Sequence, residues 1–330
     1  MPENTRWSRE KANDWHSQQP WLVGCNFIPS TAINQLEMFQ EETFDLETIN
    51  RELGWAAGLG YNIVRVYLHD LLWEAHTEGF VRRLDQYLDA AAGRGIRTLF
   101  TIFDDCWNAY PSLGRQPAPI PGVHNSGWMQ SPGINVVNDP GEWSRLERYV
   151  TGVVKAFGQD ERVAFWDLYN EPGNSKQGVA SLPLLKKAFE WARQASPSQP
   201  LSAGLWFNQT ELNESLLSNS DILTFHNYND SASLELQIQE LKQFDRPLVC
   251  TEWMRRPIST IATHLHIFRR EGVGCLHWGL VAGKTQTIFP WGSEAGSPEP
   301  KLWFHDLFRA DGVPFDPTEI EMVRSHTGKI

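Results

Sequence analysis

The stretch Val163-Ala-Phe-Trp-Asp-Leu-Tyr-Asn-Glu-Pro172 carries the pattern from which the fold can be predicted. Its apolar run is typical of a buried strand, and the run ends in a carboxylate, Glu171, directly before a proline. A second stretch, Arg246-Pro-Leu-Val-Cys-Thr-Glu-Trp253, repeats this arrangement and places Glu252 near its end. Short, nearly continuous apolar runs predict strands of a parallel sheet that is covered on both faces. Each glutamate therefore stands where a buried strand should stop.

Eight segments with strand character are spread along the 330 residues. The predicted strands are 21–26, 62–68, 96–103, 163–169, 201–206, 222–228, 247–252 and 274–279. Helical patterns are predicted between them at 46–58, 80–93, 142–157, 182–195, 234–244 and 259–270. This alternation favours parallel strands with crossover helices. We therefore predict an α/β chain in which residues 1–330 form a single (β/α)8 TIM barrel, with its site where the strands end.

Two connections are long enough to predict a function of their own. Residues 104–140 follow the third strand, contain repeated Pro and Gly and show no helical period, and residues 281–301 follow the eighth strand. Loops of this length are usually functional, although packing over the barrel is the alternative. The candidate contact residues in the first loop are Trp107, His124, Asn125 and Trp128, and those in the second are Lys284, Gln286 and Trp291.

The composition excludes several classes of function. The formal net charge of -11 disfavours nucleic acid and anionic membrane surfaces as partners, because both require basic patches. The four cysteines and ten histidines show no metal-ligand spacing, and no Gly-rich phosphate-binding motif is present, so we expect neither metal nor cofactor. No apolar run reaches membrane-spanning length or forms a secretion signal. The chain as given is therefore expected to be cytoplasmic, or secreted if a leader was removed, and it carries no signal for oligomeric state.

The residue alternation along two predicted strands brings polar side chains into the barrel. Arg65 shares the inward face of its strand, and a buried arginine requires carboxylate partners, either in a purely structural ion pair or at the site. His226 and Tyr228 share one face of a later strand and could orient a nearby carboxylate. Two carboxylates that face one cavity, here Glu171 and Glu252, are the minimum equipment for cleaving a glycosidic bond.

Further candidates surround this pair. Asn170 precedes Glu171 and could bond a sugar 2-hydroxyl, and Asp104 ends the third strand. The chain has fifteen tryptophans, whose flat faces can stack on sugar rings or simply fill the core. Trp206 and Trp278 stand at the ends of the fifth and eighth predicted strands, where an indole could contact sugar.

Two segments, around Asn170-Glu171-Pro172 and around Thr251-Glu252-Trp253, are accompanied by four residues in order on the expected strands, namely Arg65, His226, Tyr228 and Trp278. With these residues the chain resembles clan A glycoside hydrolases, and among them family 5, the cellulase-like barrels. The likeness runs from Trp21 to about Trp303. Three further stretches are similar to a subgroup often described as xylanases or cellulases. They are Asn26-Phe-Ile-Pro-Ser-Thr-Ala-Ile-Asn34, Val123-His-Asn-Ser-Gly-Trp128 and Gly279-Leu-Val-Ala-Gly-Lys-Thr-Gln-Thr287.

This resemblance implies a retaining β-glycosidase with Glu171 as acid and then base, Glu252 as nucleophile, and the carboxyl groups about 5–5.5 Å apart. The substrate would be a β-linked glucoside, xyloside or mannoside, cleaved internally or from a chain end. Two alternatives remain open at this point. The same residues would serve a transglycosylase, and a barrel of this kind that has lost catalysis would bind carbohydrate without cutting it.

Overall fold

The computed structural model describes residues 5–206 and 209–329 and contains a barrel of eight parallel strands. The strands are β1 (Val23–Asn26), β2 (Ile63–Tyr67), β3 (Arg97–Asp104), β4 (Val163–Asn170), β5 (Leu201–Ser202), β6 (Leu223–His226), β7 (Leu248–Glu252) and β8 (Gly274–His277). Their order in the sheet is β5-β4-β3-β2-β1-β8-β7-β6, with every paired neighbour parallel. The predicted (β/α)8 TIM barrel is confirmed.

The barrel is nearly closed between its two end strands, β5 and β6. Beyond the short β5, the amide of Leu205 donates to the carbonyl of Thr224 and the amide of His226 donates to the carbonyl of Leu205. The prediction that the fifth strand continues to residue 206 was wrong, because regular pairing ends at Ser202. Gly204 lies where the chain passes the His226 ring, since a Cβ at this position would lie 3.2 Å from Nε2 of His226.

Helices alternate with the strands as the sequence pattern indicates. They are α1 (Arg9–Ser17), α2 (Gln35–Phe39), α3 (Leu46–Gly58), α4 (Asp70–Ala92), α5 (Ile134–Val137), α6 (Trp143–Phe157), α7 (Leu182–Gln194), α8 (Thr210–Asn219), α9 (Ser231–Lys242), α10 (Ile261–Glu271) and α11 (Pro317–Thr327). Single 3-10 turns lie at Pro140–Glu142 and Gly178–Ser181.

Helices α1, α2, α8 and α11 were not predicted, and two other helical features depart from the sequence prediction. Helix α4 begins ten residues earlier than predicted and continues across non-helical backbone at His76. The loop after β3, predicted to lack helix, contains the single turn α5. Helix α1, which was not predicted, is held through its preceding segment, where the amide of Trp7 donates to Asp221 Oδ1 at 2.8 Å.

The core has two layers, as the alternation along β2 requires. Val64 and Val66 belong to the large apolar cluster between the strands and the outer helices. Ile63 belongs to a smaller cluster with inward side chains of other strands, and Trp7 and Ala12 pack against this second cluster. The polar residues Arg65 and Tyr67 continue the inward face of β2 toward its carboxyl end. The apolar interior therefore gives way to polar side chains where the strands end.

No helix within the described ranges is both long and apolar enough to cross a membrane. The four cysteines, expected to be buried free thiols, are buried and unbridged.

The inner layer should contribute measurably to stability. Leu99 is fully buried in it, so Leu99→Ala should lower the free energy of unfolding by about 2–5 kcal/mol through lost burial and the cavity left behind. Leu236 on α9 is 61% exposed and provides the matched control, for which Leu236→Ala should change stability by less than about 0.5 kcal/mol. Urea unfolding of both variants checks this, and equal losses would contradict a packed barrel interior.

Candidate active site

A cavity of about 530 Å³ lies at the carboxyl end of the barrel and contains both glutamates of the predicted pair. Its volume is within the range of roughly 300–1,000 Å³ that is typical of small-ligand sites. Twelve of the candidate residues named from sequence line it, namely Trp107, His124, Asn125, Trp128, Asn170, Glu171, Trp206, His226, Tyr228, Glu252, Trp278 and Trp291. The Trp-rich lining combines apolar faces with a small set of convergent polar groups, which is the composition expected of a sugar site.

Glu252, the last residue of β7, is held by three hydrogen-bond donors. Its Oε1 accepts from Arg65 Nη1 at 2.6 Å and from the Tyr67 hydroxyl at 2.7 Å. Its Oε2 accepts from the Tyr228 hydroxyl at 2.9 Å. Burial raises the pKa values of Tyr67 and Tyr228 well above that of an ordinary tyrosine, so each hydroxyl keeps its hydrogen and donates. Donors to both oxygens fix the orientation of this carboxylate and favour its ionised form.

The charge state of Glu252 follows from a balance of opposing effects. Burial by itself raises the pKa of this carboxyl, but a charge on His226, the Arg65 guanidinium, and the hydrogen bonds from Tyr67 and Arg65 together lower the pKa below its ordinary value. A lowered pKa means that the carboxylate persists to lower pH than a free glutamate. Glu252 is therefore an anion across the neutral range.

Glu171 has a different environment, although it faces the same cavity. Its backbone φ is 43°, a left-handed conformation that turns the chain sharply just after β4. Its Oε1 lies 2.8 Å from His226 Nδ1, whereas its Oε2 accepts from Asn174 Nδ2 and from the Cys106 thiol, the latter at 3.2 Å. The described structure shows no arginine or lysine paired with this carboxyl. The two glutamates thus differ in electrostatic surroundings, as an acid and a nucleophile must.

The two carboxyl groups lie close together across the cavity. One carboxylate oxygen of Glu171, one of Glu252 and a ring nitrogen of His226 all lie within 4.8 Å of one another. A separation of at most 4.8 Å between one oxygen of each glutamate is closer to the roughly 5–5.5 Å between the carboxyl groups of retaining enzymes than to the 6.5–9.5 Å or so of inverting ones. The same three groups could in principle hold a metal ion, but the Arg65 cation 2.6 Å from Glu252 opposes a second cation there.

Arg65 lies beneath the cavity and is fully buried. Its Nε and Nη2 donate to Asp167 Oδ2 on β4, and Nη1 donates to Glu252. It also donates to the amide oxygens of Asn26 and Asn170. The predicted pairing of this arginine with carboxylates is confirmed. Its five contacts connect β1, β4 and β7 to β2 directly under the two glutamates.

Two buried aspartates at the end of β3 hold the rest of the floor. Asp104 accepts from Asn170 Nδ2 at 2.9 Å and from the Trp128 indole at 2.7 Å, so it lies behind the lining and orients it. Asp105 accepts from the amide of Gly173 at 2.7 Å and from Ser181, which ties down the segment after Glu171. Burial raises the pKa of Asp104 to about 6 and of Asp105 to about 7, against the effect of these hydrogen bonds.

Aromatic side chains form much of the wall. Trp128 and Trp278 meet with ring centroids 5.7 Å apart, and both pack against the ring of Tyr67. Trp107 is 42% exposed at the mouth of the cavity and has a φ of 70°, which is unusual for a bulky residue and marks a position held by its surroundings. Trp206 lies on another side and donates to the carbonyl of Pro172.

The two long loops are joined to each other. Gln286 in the second loop donates to the carbonyl of Ile120 at 2.7 Å and accepts from the amide of Gly122 at 2.9 Å. The amide of Asn125 donates to the carbonyl of Thr285 at 2.8 Å. Because β3 and β8 are separated in the sheet by β2 and β1, these bonds span that side of the barrel mouth. We refer to them as the loop clasp.

Two candidate contact residues of the second loop lie elsewhere, and one of them, Gln286, belongs to the loop clasp. Lys284 does not line the cavity, since its Nζ pairs with Glu37 Oε1 at 2.6 Å. The charge of Glu37 on α2 draws the lysine away from the cavity, and no local sequence signal reveals this distant partner.

Several contributing residues were missed from sequence. Tyr67 shares the inward face of Arg65, so the alternation already available could have identified it. Cys106 and Asn174 contact Glu171 from irregular loops, and Arg255 and His305 line the cavity from positions without any periodic pattern. For these four residues the sequence offers no comparable signal.

Comparisons with known proteins bear on the fold and the family of the chain. None of the curated proteins matches the chain in sequence. Among solved structures, GH5_18 from Streptomyces cattleya, in complex with Manb1-4GlcNAc, is 13% identical, with 93% of this chain and 80% of that chain covered and a TM-score of 0.63. The exo-beta-1,4-mannosidase Op5Man5 from Opitutaceae bacterium strain TAV5 is 17% identical, with 94% and 60% covered and a TM-score of 0.65. The endo-beta-1,4-mannanase from Thermotoga petrophila is 15% identical, with 95% and 77% covered and a TM-score of 0.63.

These likenesses establish the fold. The family follows from the sequence match of residues 47–279, more than half of the chain, to the model of the cellulase family. The chain therefore belongs to glycosyl hydrolase family 5 of clan A, and it is an O-glycosyl hydrolase of the retaining type.

Proposed function

We propose that the chain hydrolyses β-linked glycosides by double displacement, with Glu252 as nucleophile and Glu171 as acid and base. The observation that carries this proposal is the pair of carboxyl groups at the ends of β4 and β7, of which one oxygen each lies within 4.8 Å of the other in one cavity. One of them is paired with an arginine and the other is not. This difference supports the proposed roles, because the nucleophile must be ionised and the acid must be able to hold a proton.

In the first step an oxygen of Glu252 attacks the anomeric carbon while Glu171 gives its proton to the leaving oxygen. Arg65, Tyr67 and Tyr228 hold the attacking carboxylate in one orientation, so little is lost in positioning it. Asn170 is oriented by Arg65 and Asp104 and lines the cavity, where it can bond the sugar 2-hydroxyl.

The second step reverses the proton transfer. Formation of the glycosyl ester removes the negative charge of Glu252. Glu171, now ionised, takes a proton from water, which attacks the anomeric carbon and releases Glu252. Two inversions at one carbon give net retention of configuration.

For the substrate, we propose a β-mannoside among the glucose, xylose and mannose types. The three solved structures compared above are described as a complex with Manb1-4GlcNAc, an exo-beta-1,4-mannosidase and an endo-beta-1,4-mannanase. The aromatic wall of Trp107, Trp128 and Trp278 suits the apolar faces of such rings.

The loop clasp favours action at a chain end. It spans the barrel mouth above β1 and β2, and the loops that it joins supply Trp107, His124 and Trp291 to the cavity wall. A cavity walled on one side accommodates the terminus of an oligosaccharide more readily than the middle of a polymer. Efficient random internal cleavage of a β-mannan would contradict this part of the proposal.

Transglycosylation uses the same residues and differs only in the acceptor. Incubation with substrate and a second sugar separates the two reactions, because transfer products would require revision of the hydrolytic assignment. A barrel that only binds carbohydrate would show no turnover in the same assay.

The nucleophile is tested with a panel of aryl β-glycosides and β-linked oligosaccharides. Glu252→Ala should lose on the order of 10⁴-fold or more of the turnover, because no other group can form the glycosyl ester. Azide should restore part of the rate and give an α-glycosyl azide. Glu190→Ala, at an exposed ion pair on α7, is the matched control and should retain full activity. Turnover that survives in Glu252→Ala without azide would refute the assignment.

The acid is tested through the leaving group. Glu171→Ala should slow hydrolysis of poor leaving groups by about 10²–10⁴-fold, because these need the proton at bond cleavage. For dinitrophenyl glycosides, whose leaving group needs little assistance, Glu171→Ala should lower kcat/KM, which reports the glycosylation step, far less. An equal loss for both kinds of substrate would show that Glu171 does not act as the acid.

The acid side of the pH profile reports Glu252. Because the pKa of Glu252 is lowered, kcat/KM of the wild type should fall only below about pH 4.5, as this carboxylate becomes protonated. Tyr67→Phe removes a donor that lowers this pKa, so the pKa should rise and the acid limb should move to higher pH by roughly half a unit to one unit. Tyr110→Phe, at a side chain 72% exposed in the first long loop, should leave the limb in place. A shift to lower pH in Tyr67→Phe would contradict the assignment of Glu252.

A further inference from the structure

Among the described residues, the carboxyl group of Glu171 has three hydrogen-bond partners, and they differ in what they can do. They are His226 Nδ1 at Oε1, and Asn174 Nδ2 and the Cys106 thiol at Oε2. An acid that becomes a base must be accommodated both with its proton and without it. A partner that only donates stabilises the ionised form alone.

Two of the three partners can only donate. The amide nitrogen of Asn174 has no accepting capacity, and the oxygen of the same amide is already bonded to the amide of Ser175. His226 is buried, and its Nε2 has no partner among the described residues. The hydrogen of the neutral ring lies on Nδ1, toward Glu171, because the 2.8 Å contact between Nδ1 and the carboxylate oxygen then has a donor. The protonated ring donates at Nδ1 as well.

The thiol of Cys106 is the one partner of the three that can both donate and accept. Its sulfur accepts from Asn170 Nδ2 at 3.3 Å and from Asn174 Nδ2 at 3.4 Å, which directs the S–H toward Glu171 when that carboxyl is ionised. Cys106 also lines the cavity, so its S–H has a second direction in which to turn. Burial and the charges of Asp104 and Glu171 raise the pKa of the thiol well above its ordinary value, and the thiol therefore remains neutral.

We propose that Cys106 is a positioning residue that lets Glu171 alternate between acid and base, as a weak donor to the carboxylate and as an acceptor from the carboxylic acid. This inference rests on the proposed role of Glu171. When Glu171 is ionised, the S–H donates to Oε2. When Glu171 holds the proton, its O–H donates to the sulfur and the S–H turns into the cavity. The thiol keeps its own hydrogen throughout, so no proton is gained or lost at Cys106.

Sulfur suits this role better than oxygen. A thiol is a weak donor, so it adds little to the stabilisation of the carboxylate by Asn174 and His226. A serine hydroxyl at this position would donate more strongly and hold Glu171 in its ionised form.

The test uses the full-length chain and the basic limb of the kcat/KM profile on a poor leaving group, where loss of the Glu171 proton stops the reaction. Cys106→Ser introduces a stronger donor and should move this limb to lower pH by about half a unit. Cys106→Ala removes the donor to the carboxylate together with the acceptor from the acid, and because the bond to the ionised form is the stronger of the two, it should move the limb to higher pH by about half a unit. A merely structural role does not produce opposite shifts. Cys25→Ala, at a buried thiol on β1, is the control and should leave the limb in place.

The other charged and titratable groups around Glu171 are unchanged in these variants. Among the described residues they include Arg65, Tyr67, Asp104, Asp105, His226, Tyr228, Glu252, Arg255 and His305. A limb that stays in place, or moves in the same direction, in both Cys106 variants would overturn the proposal.

Infrared spectroscopy of the S–H stretch provides a second measurement that does not depend on the activity of the variants. The band of Cys106 is identified by its loss in Cys106→Ala or in Cys106→Ser. In the wild-type protein this band should shift as pH crosses the basic limb, because the S–H changes its acceptor. The shift should be absent in Glu171→Gln. A band that does not change with pH in the wild type would overturn the proposal.

Failure of this inference can be distinguished from failure of the proposed function. If Glu171→Gln retains hydrolysis and the basic limb, the role of Glu171 itself is wrong. If Glu171→Gln abolishes both while the Cys106 variants leave the limb in place, the assignment of Cys106 alone is refuted.

Discussion

The buried guanidinium of Arg65 is the interaction on which the site depends. A fully buried cation is tolerated only when it is paired and its hydrogen-bond donors are satisfied. Arg65 meets this condition through Asn26 on β1, Asp167 and Asn170 on β4, Tyr67 on its own strand, and Glu252 on β7. The requirement to satisfy one side chain thus fixes the positions of three other strands relative to β2, directly beneath the two glutamates.

The same arrangement separates the two carboxyl groups electrostatically. Glu252 is in direct contact with the cation, which together with the neighbouring donors outweighs the effect of burial on its pKa. His226 lies between the two glutamates, with its Nδ1 2.8 Å from Glu171 Oε1 and 3.5 Å from Glu252 Oε2, but the partners of Glu171 are a ring nitrogen, an amide and a thiol. Glu171 and Glu252 can therefore have opposite roles in one reaction, because Arg65 pairs with Glu252 and not with Glu171.

The barrel and the centre of the site were predictable because they depend on short-range patterns. Parallel strands buried on both faces read as apolar runs, and the period of two along β2 places Arg65 inside with no further information. Glu171, His226 and Glu252 stand at or just beyond strand ends, where the fold requires the site to be. The prediction failed at the short strand β5 and at Lys284, since the close approach of Gly204 to His226 and the pairing with Glu37 both depend on partners distant in sequence.

Sequence patterns do not predict the shape of the two long loops. The segments after β3 and β8 have no period of their own, and their shape is set by hydrogen bonds to each other, as between Gln286 and the backbone around Ile120. Backbone groups in such loops must be paired when they are buried, and here each loop pairs the other. Cys106 lies at the start of the first of these loops, next to the strand end that fixes Asp104. The barrel thus determines where Cys106 lies and that it can contact Glu171, but no pattern in the strands requires a cysteine at this position. For this reason the partners that decide how Glu171 exchanges its proton are found in the structure and not in the sequence motif that contains Glu171.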